Sequence, residues 1–177
     1  GTFVDCTLPS TGTYVVSGGI FSEANKNVLE NSLASGLKWH KIFYNGEAWQ
    51  PIDENAVMFA ELETSGKTYQ FADLQDAFNA APTDGQATIR LLKDSVVEWT
   101  APAGTKYHSS VKLYTIGANR DIIFDMNGKK LKMLFTYHNH VPGEETRYQD
   151  YQSYSIYTSS KLTIQDNTDT QHDGTGL

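Results

Sequence analysis

Hydrophobic and polar positions along this chain form short runs, and the spacing within each run predicts its element. Tyr14-Val15-Val16-Ser17 is aromatic and β-branched, as a strand is, and Gly18-Gly19 interrupts it before Ile20-Phe21. Paired glycines at that point signal a tight corner or a close backbone approach. Between 27 and 35, Val28, Leu29 and Leu33 share one face at helical spacing, and Gly36 stands where a helix ends. Leu37 to Tyr44 alternates loosely, meets Asn45-Gly46 and resumes at Glu47-Ala48-Trp49-Gln50. That pattern predicts a hairpin closed by a type I′ turn. Pro51 to Asn55 reads as a linker.

A different pattern follows. Ala56 to Leu62, a turn at Ser65-Gly66 and Lys67-Thr68-Tyr69 precede an amphipathic helix from Phe71 to Ala81. Its apolar stripe is Phe71, Leu74, Phe78 and Ala81, and Pro82 with Asp84-Gly85 stops it. From Thr88 onward short alternating runs are separated by polar turns: Ile89 and Leu91, then Val111 and Leu113, then Ile122 to Phe124 before Asn127-Gly128. Leu131, Met133 and Phe135, then Ile156, then Leu162-Thr163-Ile164 complete the series. Strands this short, each offering one or two inward apolar residues, suit a β-solenoid better than a sandwich.

The order of these pieces carries a resemblance. Tyr69, Leu74 to Ala81, Asp84-Gly85 and Ile89-Arg90-Leu91-Leu92-Lys93-Asp94 are followed by Ile116-Gly117, Ile122 to Leu131 and Leu162-Thr163-Ile164-Gln165-Asp166. Over about residues 56–177 this resembles a repeat of large surface proteins from gut and oral bacteria, adhesin-like modules with a pectate-lyase-like fold. Val15 to Ser22 is similar to the closing part of such a repeat. The resemblance implies a mostly β chain: a right-handed parallel β-helix with a short capping helix, plus an N-terminal strand, helix and hairpin. It divides the chain into 1–52, a closing coil with helix and hairpin, and 53–177, a capping hairpin and helix followed by first coils. A polar, aromatic insertion lies between Leu134 and Tyr154.

Composition narrows the partners. Fourteen Lys and Arg against 21 Asp and Glu give a net charge of −7, so a phosphate backbone is not an expected partner. No apolar run approaches a membrane span, and no membrane insertion is expected. Residues 1–5 show no leader of basic then apolar residues. A single cysteine, Cys6, excludes an internal disulfide framework and has no basic neighbour in sequence to activate it.

Candidate chemistry concentrates in and after the insertion. Tyr148, Tyr151, Tyr154 and Tyr157 recur every three residues, amid Arg147, Gln149, Asp150 and Gln152. Period three fits neither helix nor strand. Tyrosine beside amides and carboxylates suits sugar binding, the ring stacking on C–H faces while polar groups read hydroxyls. Tyr137, Arg147, Tyr148, Tyr151 and Tyr154 are therefore the candidate ligand residues, against the plainer reading of a lid packed on the strands. His138 and His140 flank Asn139 near Glu144 and Glu145 and could hold zinc, although a solvated loop explains the same letters. Asp169, Gln171 and Asp173 before Gly174 match the first half of a calcium loop, and a polar turn explains them equally. No cofactor is otherwise expected, and of these two ions calcium is the one kept as a candidate. Asp121 and Asp125, four apart, would share a strand face, but nothing marks a carboxylate pair with separated pKa values.

The expected function is a non-catalytic module of a secreted or cell-surface bacterial protein, a stalk that binds a glycan or host glycoprotein. Two alternatives stand beside it. One is a polysaccharide lyase or glycoside hydrolase, supported by fold analogy alone. The other is a fibre subunit that self-associates head to tail through an uncapped end.

Overall fold

Alternation decides most of what folds here, and turn chemistry decides where each strand stops. The computed structural model describes residues 1–9, 11–100, 111–136 and 153–168. In chain order the elements are β1 (Thr2–Phe3), β2 (Ile20–Phe21), α1 (Glu23–Val28), β3 (Leu37–Phe43), β4 (Glu47–Asp53), β5 (Ala60–Thr64) and β6 (Lys67–Phe71). They continue with α2 (Leu74–Ala80), β7 (Gln86–Leu91), β8 (Ser95–Thr100), β9 (Val111–Ile116), β10 (Asp121–Asp125), β11 (Leu131–Thr136), β12 (Ser153–Thr158) and β13 (Lys161–Gln165).

The strands assemble into separate sheets, which corrects the expected right-handed parallel β-helix. One sheet has four strands in the order β1-β2-β4-β3, another has five in the order β13-β10-β7-β5-β6, and β11-β8 and β12-β9 are two-stranded. The pairs β7–β10, β10–β13, β8–β11 and β9–β12 are parallel. However, β5 pairs antiparallel with both β6 and β7, so the largest sheet is mixed. Among the described residues no sheet closes or winds as a solenoid. Side-chain alternation fixes which face of a strand is buried; it does not choose the strand's neighbour.

The N-terminal segment also departs from expectation. The helix predicted over 27–35 begins earlier, at Glu23, because Ser22 caps it with its Oγ accepting from the Asn25 N–H at 3.3 Å. Residues 32–34 are instead taken up by Val16, whose N–H donates to Ser32 O at 2.7 Å and whose C=O accepts from Ala34 N at 2.9 Å. Asn25, 2% exposed, donates to the carbonyls of Phe3 and Cys6 and accepts from Leu8 N, tying the first residues to α1. At Gly19 (φ 118°) an added Cβ would lie 3.0 Å from Gly1 O and from the Phe21 ring. That is the close approach the glycine pair signalled.

The β3–β4 hairpin forms where predicted, but its last pair is Phe43 with Glu47, so Tyr44, Asn45 and Gly46 make a three-residue connection. The two-residue turn occurs at Ser65-Gly66, between the paired Thr64 and Lys67, with φ 51° and 70°. Ile42 and Ala48 of the first hairpin join one core with Leu62, Phe78, Ile89, Ile122 and Phe124. Val16, Phe21 and Leu29 form a smaller cluster.

Helix α2 holds the strand layers together. Asp73 caps it, accepting from Gln75 N at 2.6 Å, and Leu74, Ala77 and Phe78 are its buried face. Gln75 acts as a substitute strand neighbour for β9, accepting from Thr115 N at 2.8 Å and donating to Thr115 O at 2.7 Å. Changing Gln75 to Ala is expected to cost about 1 kcal/mol, since both groups are exposed enough for water to replace the amide. Amide exchange at Thr115 should accelerate selectively; an unchanged rate there would contradict the bridging role. At the other end Arg120 donates to Ala81 O at 2.8 Å and Asn79 O at 3.1 Å. A Cβ on Gly117 would meet that guanidinium, so a larger residue there would push Arg120 off its two carbonyls.

The corners between parallel strands are joined by single side chains. Asn127 Nδ2 donates to Leu91 O, Lys130 N to Asp94 Oδ1, and Gly128 N to Asp166 Oδ1, each at 2.9 Å. Asn127 itself is left-handed, at φ 52°.

Candidate functional site

The polar face of the five-stranded sheet gathers a connected set of charged and hydrogen-bonding side chains. Registers place Gln70, Glu61, Arg90, Asp125 and Gln165 in one row across β6, β5, β7, β10 and β13. Thr68, Glu63, Thr88, Ile123 and Thr163 form the next row, and Gln86, Asp121 and Lys161 a third. The opposite positions, such as Leu62, Ile89, Ile122 and Phe124, are buried, so the exposed face follows directly from period-two alternation.

Arg90 sits at the centre. Its Nη1 lies 2.6 Å from Glu63 Oε2 and 3.8 Å from Glu61 Oε1, and its Nε lies 3.6 Å from Asp125 Oδ2. Asp125 is 1% exposed. Its Oδ1 accepts from Asn127 N at 2.9 Å and Asn167 N at 3.2 Å, and its Oδ2 from Asn167 Nδ2 at 2.8 Å. Asp121 accepts from Lys161 Nζ at 2.8 Å and Gln86 Nε2 at 3.2 Å, and these bonds hold its carboxyl below the usual range. Every charged group of this face thus meets an opposite charge. Asp121 and Asp125 do share a face of β10, but their oxygens are occupied by a lysine, amides and turn N–H groups. They are arranged as ties between strands, not as an acid and a base flanking a bond.

The tyrosine stretch is only partly in view. Tyr137, Arg147, Tyr148, Tyr151, His138, His140, Asp169 and Asp173 lie outside the described residues. Tyr154 falls in β12, its backbone paired with Lys112 of β9. Tyr157 is 37% exposed, and Lys112 Nζ stands 3.4 Å from its ring centroid, a cation–π contact. Tyr114 of β9 is 7% exposed and packs edge-on against Phe78; burial, with the Asp73 charge adding, pushes its hydroxyl up to about 12. It serves packing, not proton transfer at neutral pH. Among the described residues no group of three or more His, Cys, Asp or Glu is placed to hold a metal, and no helix is long and apolar enough to cross a membrane.

Sequence reasoning missed a third feature, around the β3–β4 connection. The ammonium groups of Lys26 and Lys41 each stand 5.3 Å from the centroid of the Trp49 ring, and the indole N–H donates to Glu23. Glu47 bonds Lys67 at 2.8 Å and Lys41 at 3.2 Å, which lowers its carboxyl and raises Lys67. Two clefts flank this connection, and Asn45-Gly46 lines both. The signal was present as turn letters, which mark a bend and say nothing of what gathers beside it. Compared with protein-family models, with curated proteins and with solved structures, the chain has no match in any of the three.

Proposed function

We propose that this chain is a non-catalytic module of a secreted or cell-surface bacterial protein, and that its ligand is a neutral glycan or the glycan of a host glycoprotein. The observation that supports it is the polar face of the five-stranded sheet. Its charges are paired with one another, Arg90 with three carboxylates and Lys161 with Asp121, and the face keeps an acidic excess that repels anions. Beside these paired charges the face offers uncharged groups to a ligand: the hydroxyls of Thr68, Thr88 and Thr163 and the amide of Gln165, in register across the sheet. Groups of this kind at strand spacing suit a polyhydroxylated ligand better than a charged one.

The test is binding of the purified chain to a broad glycan array, repeated with Thr88→Val and Thr163→Val together. Selective binding, weakened about tenfold by the double change, is expected, in line with the loss of one or two net hydrogen bonds. No binding across the array, or oligosaccharide release from a polysaccharide, would reject this function.

A further inference from the structure

The larger of the two clefts beside the β3–β4 connection has a volume of about 330 Å³. Three turns distant in sequence make its walls: Asn45 from the first hairpin, Ser65 from the second, and Pro82, Thr83 and Asp84 after α2, with Phe43 as an apolar wall. Phe43 is held in place by Tyr69, their rings 5.5 Å apart.

Two facts separate this cleft from an ordinary junction of loops. Its polar side chains are unengaged: among the described residues Asn45, Ser65, Thr83 and Asp84 make no side-chain hydrogen bond or ion pair. Of the other described aspartates, Asp53, Asp73, Asp94, Asp121, Asp125 and Asp166 accept hydrogen bonds from their surroundings, whereas Asp5, which lines the smaller cleft, and Asp76 share the unengaged state of Asp84. The second fact is Ser65 itself. At φ 51° it occupies the left-handed region, where glycine or asparagine is less strained, so the position keeps a hydroxyl against backbone preference.

The geometry points to a saccharide subsite in this cleft, taking one neutral or N-acetylated pyranose ring whose C–H face lies on Phe43 and Pro82. Asn45, Ser65, Thr83 and Asp84 supply donors and acceptors for its hydroxyls. The Asp84 carboxylate accepts from sugar O–H groups and repels acidic sugars, which also matches the net charge of −7. Beyond Asn45-Gly46 the smaller cleft, about 220 Å³ and lined by Tyr44, Ser22 and Asp5, receives the next ring of a longer chain. Tyr44 is 39% exposed there. This subsite rests on the glycan reading and adds a place to it: the Ser65-Gly66 turn ends the same hairpin whose β5 and β6 carry part of the sheet face.

The experiment is amide chemical-shift mapping of the folded chain titrated separately with glucose, galactose, mannose, fucose, N-acetylglucosamine and sialic acid. Saturable shifts at Gly46, Gly66 and Gly85 with at least one neutral sugar, and none with sialic acid, are expected. Asp84→Ala should weaken that binding about tenfold, the effect of one charge-assisted hydrogen bond. Ser65→Gly should raise the melting temperature while weakening binding, a split that a merely structural serine would not produce. Shifts confined to Thr88 and Thr163 would reject the cleft and keep the glycan reading. No shift with any sugar would reject both.

Discussion

Replacing Phe78 with alanine is expected to remove about 3–5 kcal/mol of stability, the usual cost of deleting a fully buried phenylalanine side chain. Phe78 is 0% exposed and stands at the meeting point of three elements. Its ring meets Tyr114 of β9 edge-on at 6.0 Å and Phe124 of β10 at 5.5 Å, while its backbone belongs to α2. Alanine would leave a void between the helix and two strands that belong to different sheets, and the rigid backbones on either side cannot collapse into it. Since domains are stable by about 5–15 kcal/mol, the variant would lose much of its margin. Phe78→Leu keeps most of the volume and loses the edge-on ring contacts, so a cost nearer 1–2 kcal/mol is expected. Urea denaturation should show the midpoint falling in the order wild type, Leu, Ala with the slope unchanged. Equal midpoints for Leu and Ala would show that the ring volume is not what joins the layers.

The second large effect is expected at Asp125. Asp125→Ala leaves the N–H groups of Asn127 and Asn167 and the Asn167 amide without their acceptor, and Arg90 without one of its three carboxylates. Each unmet donor in this part-buried corner is costly, and about 3 kcal/mol in total is expected. Asp125→Asn is no remedy. An asparagine turned to accept from the two backbone N–H groups would aim its own N–H₂ at Asn167 Nδ2 and Arg90, donor against donor. A double-mutant cycle with Asn167→Ala measures the coupling, and a loss below about 1 kcal/mol for Asp125→Ala would sink this account of the corner.

How much of this was legible in the sequence depends on how local each cause is. The hairpin at 37–50 could be read because its alternation and its Asn-Gly lie within a few residues of each other; Pro51 to Asp53, read as linker, instead extend β4 by pairing with Trp39 to Leu37. The stripe from Phe71 to Ala81 gave α2 with its boundaries shifted, since Asp73 was not recognised as the cap. The helix predicted at 27–35 failed because its Leu33 lies beside Val16, which holds residues 32–34 extended by two backbone bonds. The expected parallel β-helix failed at a larger scale: alternation at Ile89, Ile122 and Ile164 marks strands, but the antiparallel neighbour β5 that turns the largest sheet into a mixed one is a tertiary choice. The cleft was illegible for the same reason. Asn45, Ser65 and Asp84 each read as a local bend, and only the fold brings three bends together.

The corner ties of Asn127, Asp94 and Asp166 also bear on how this chain can change length. Register in β8–β11 and β9–β12 runs without a slip from Ser95 to Thr100 and from Val111 to Ile116. Yet the segments that separate those strands, 101–110 in one pass and 137–152 in the next, differ in length. Pairing is therefore set by side chains at fixed corners and does not count the residues between β8 and β9 or between β11 and β12. Insertions and deletions there are cheap, because loop closure grows only slowly with length, whereas one residue gained at Asp125 to Gly128 would move every tie at once. The variable stretch of such a chain belongs between those strands, and its constant letters at the corners.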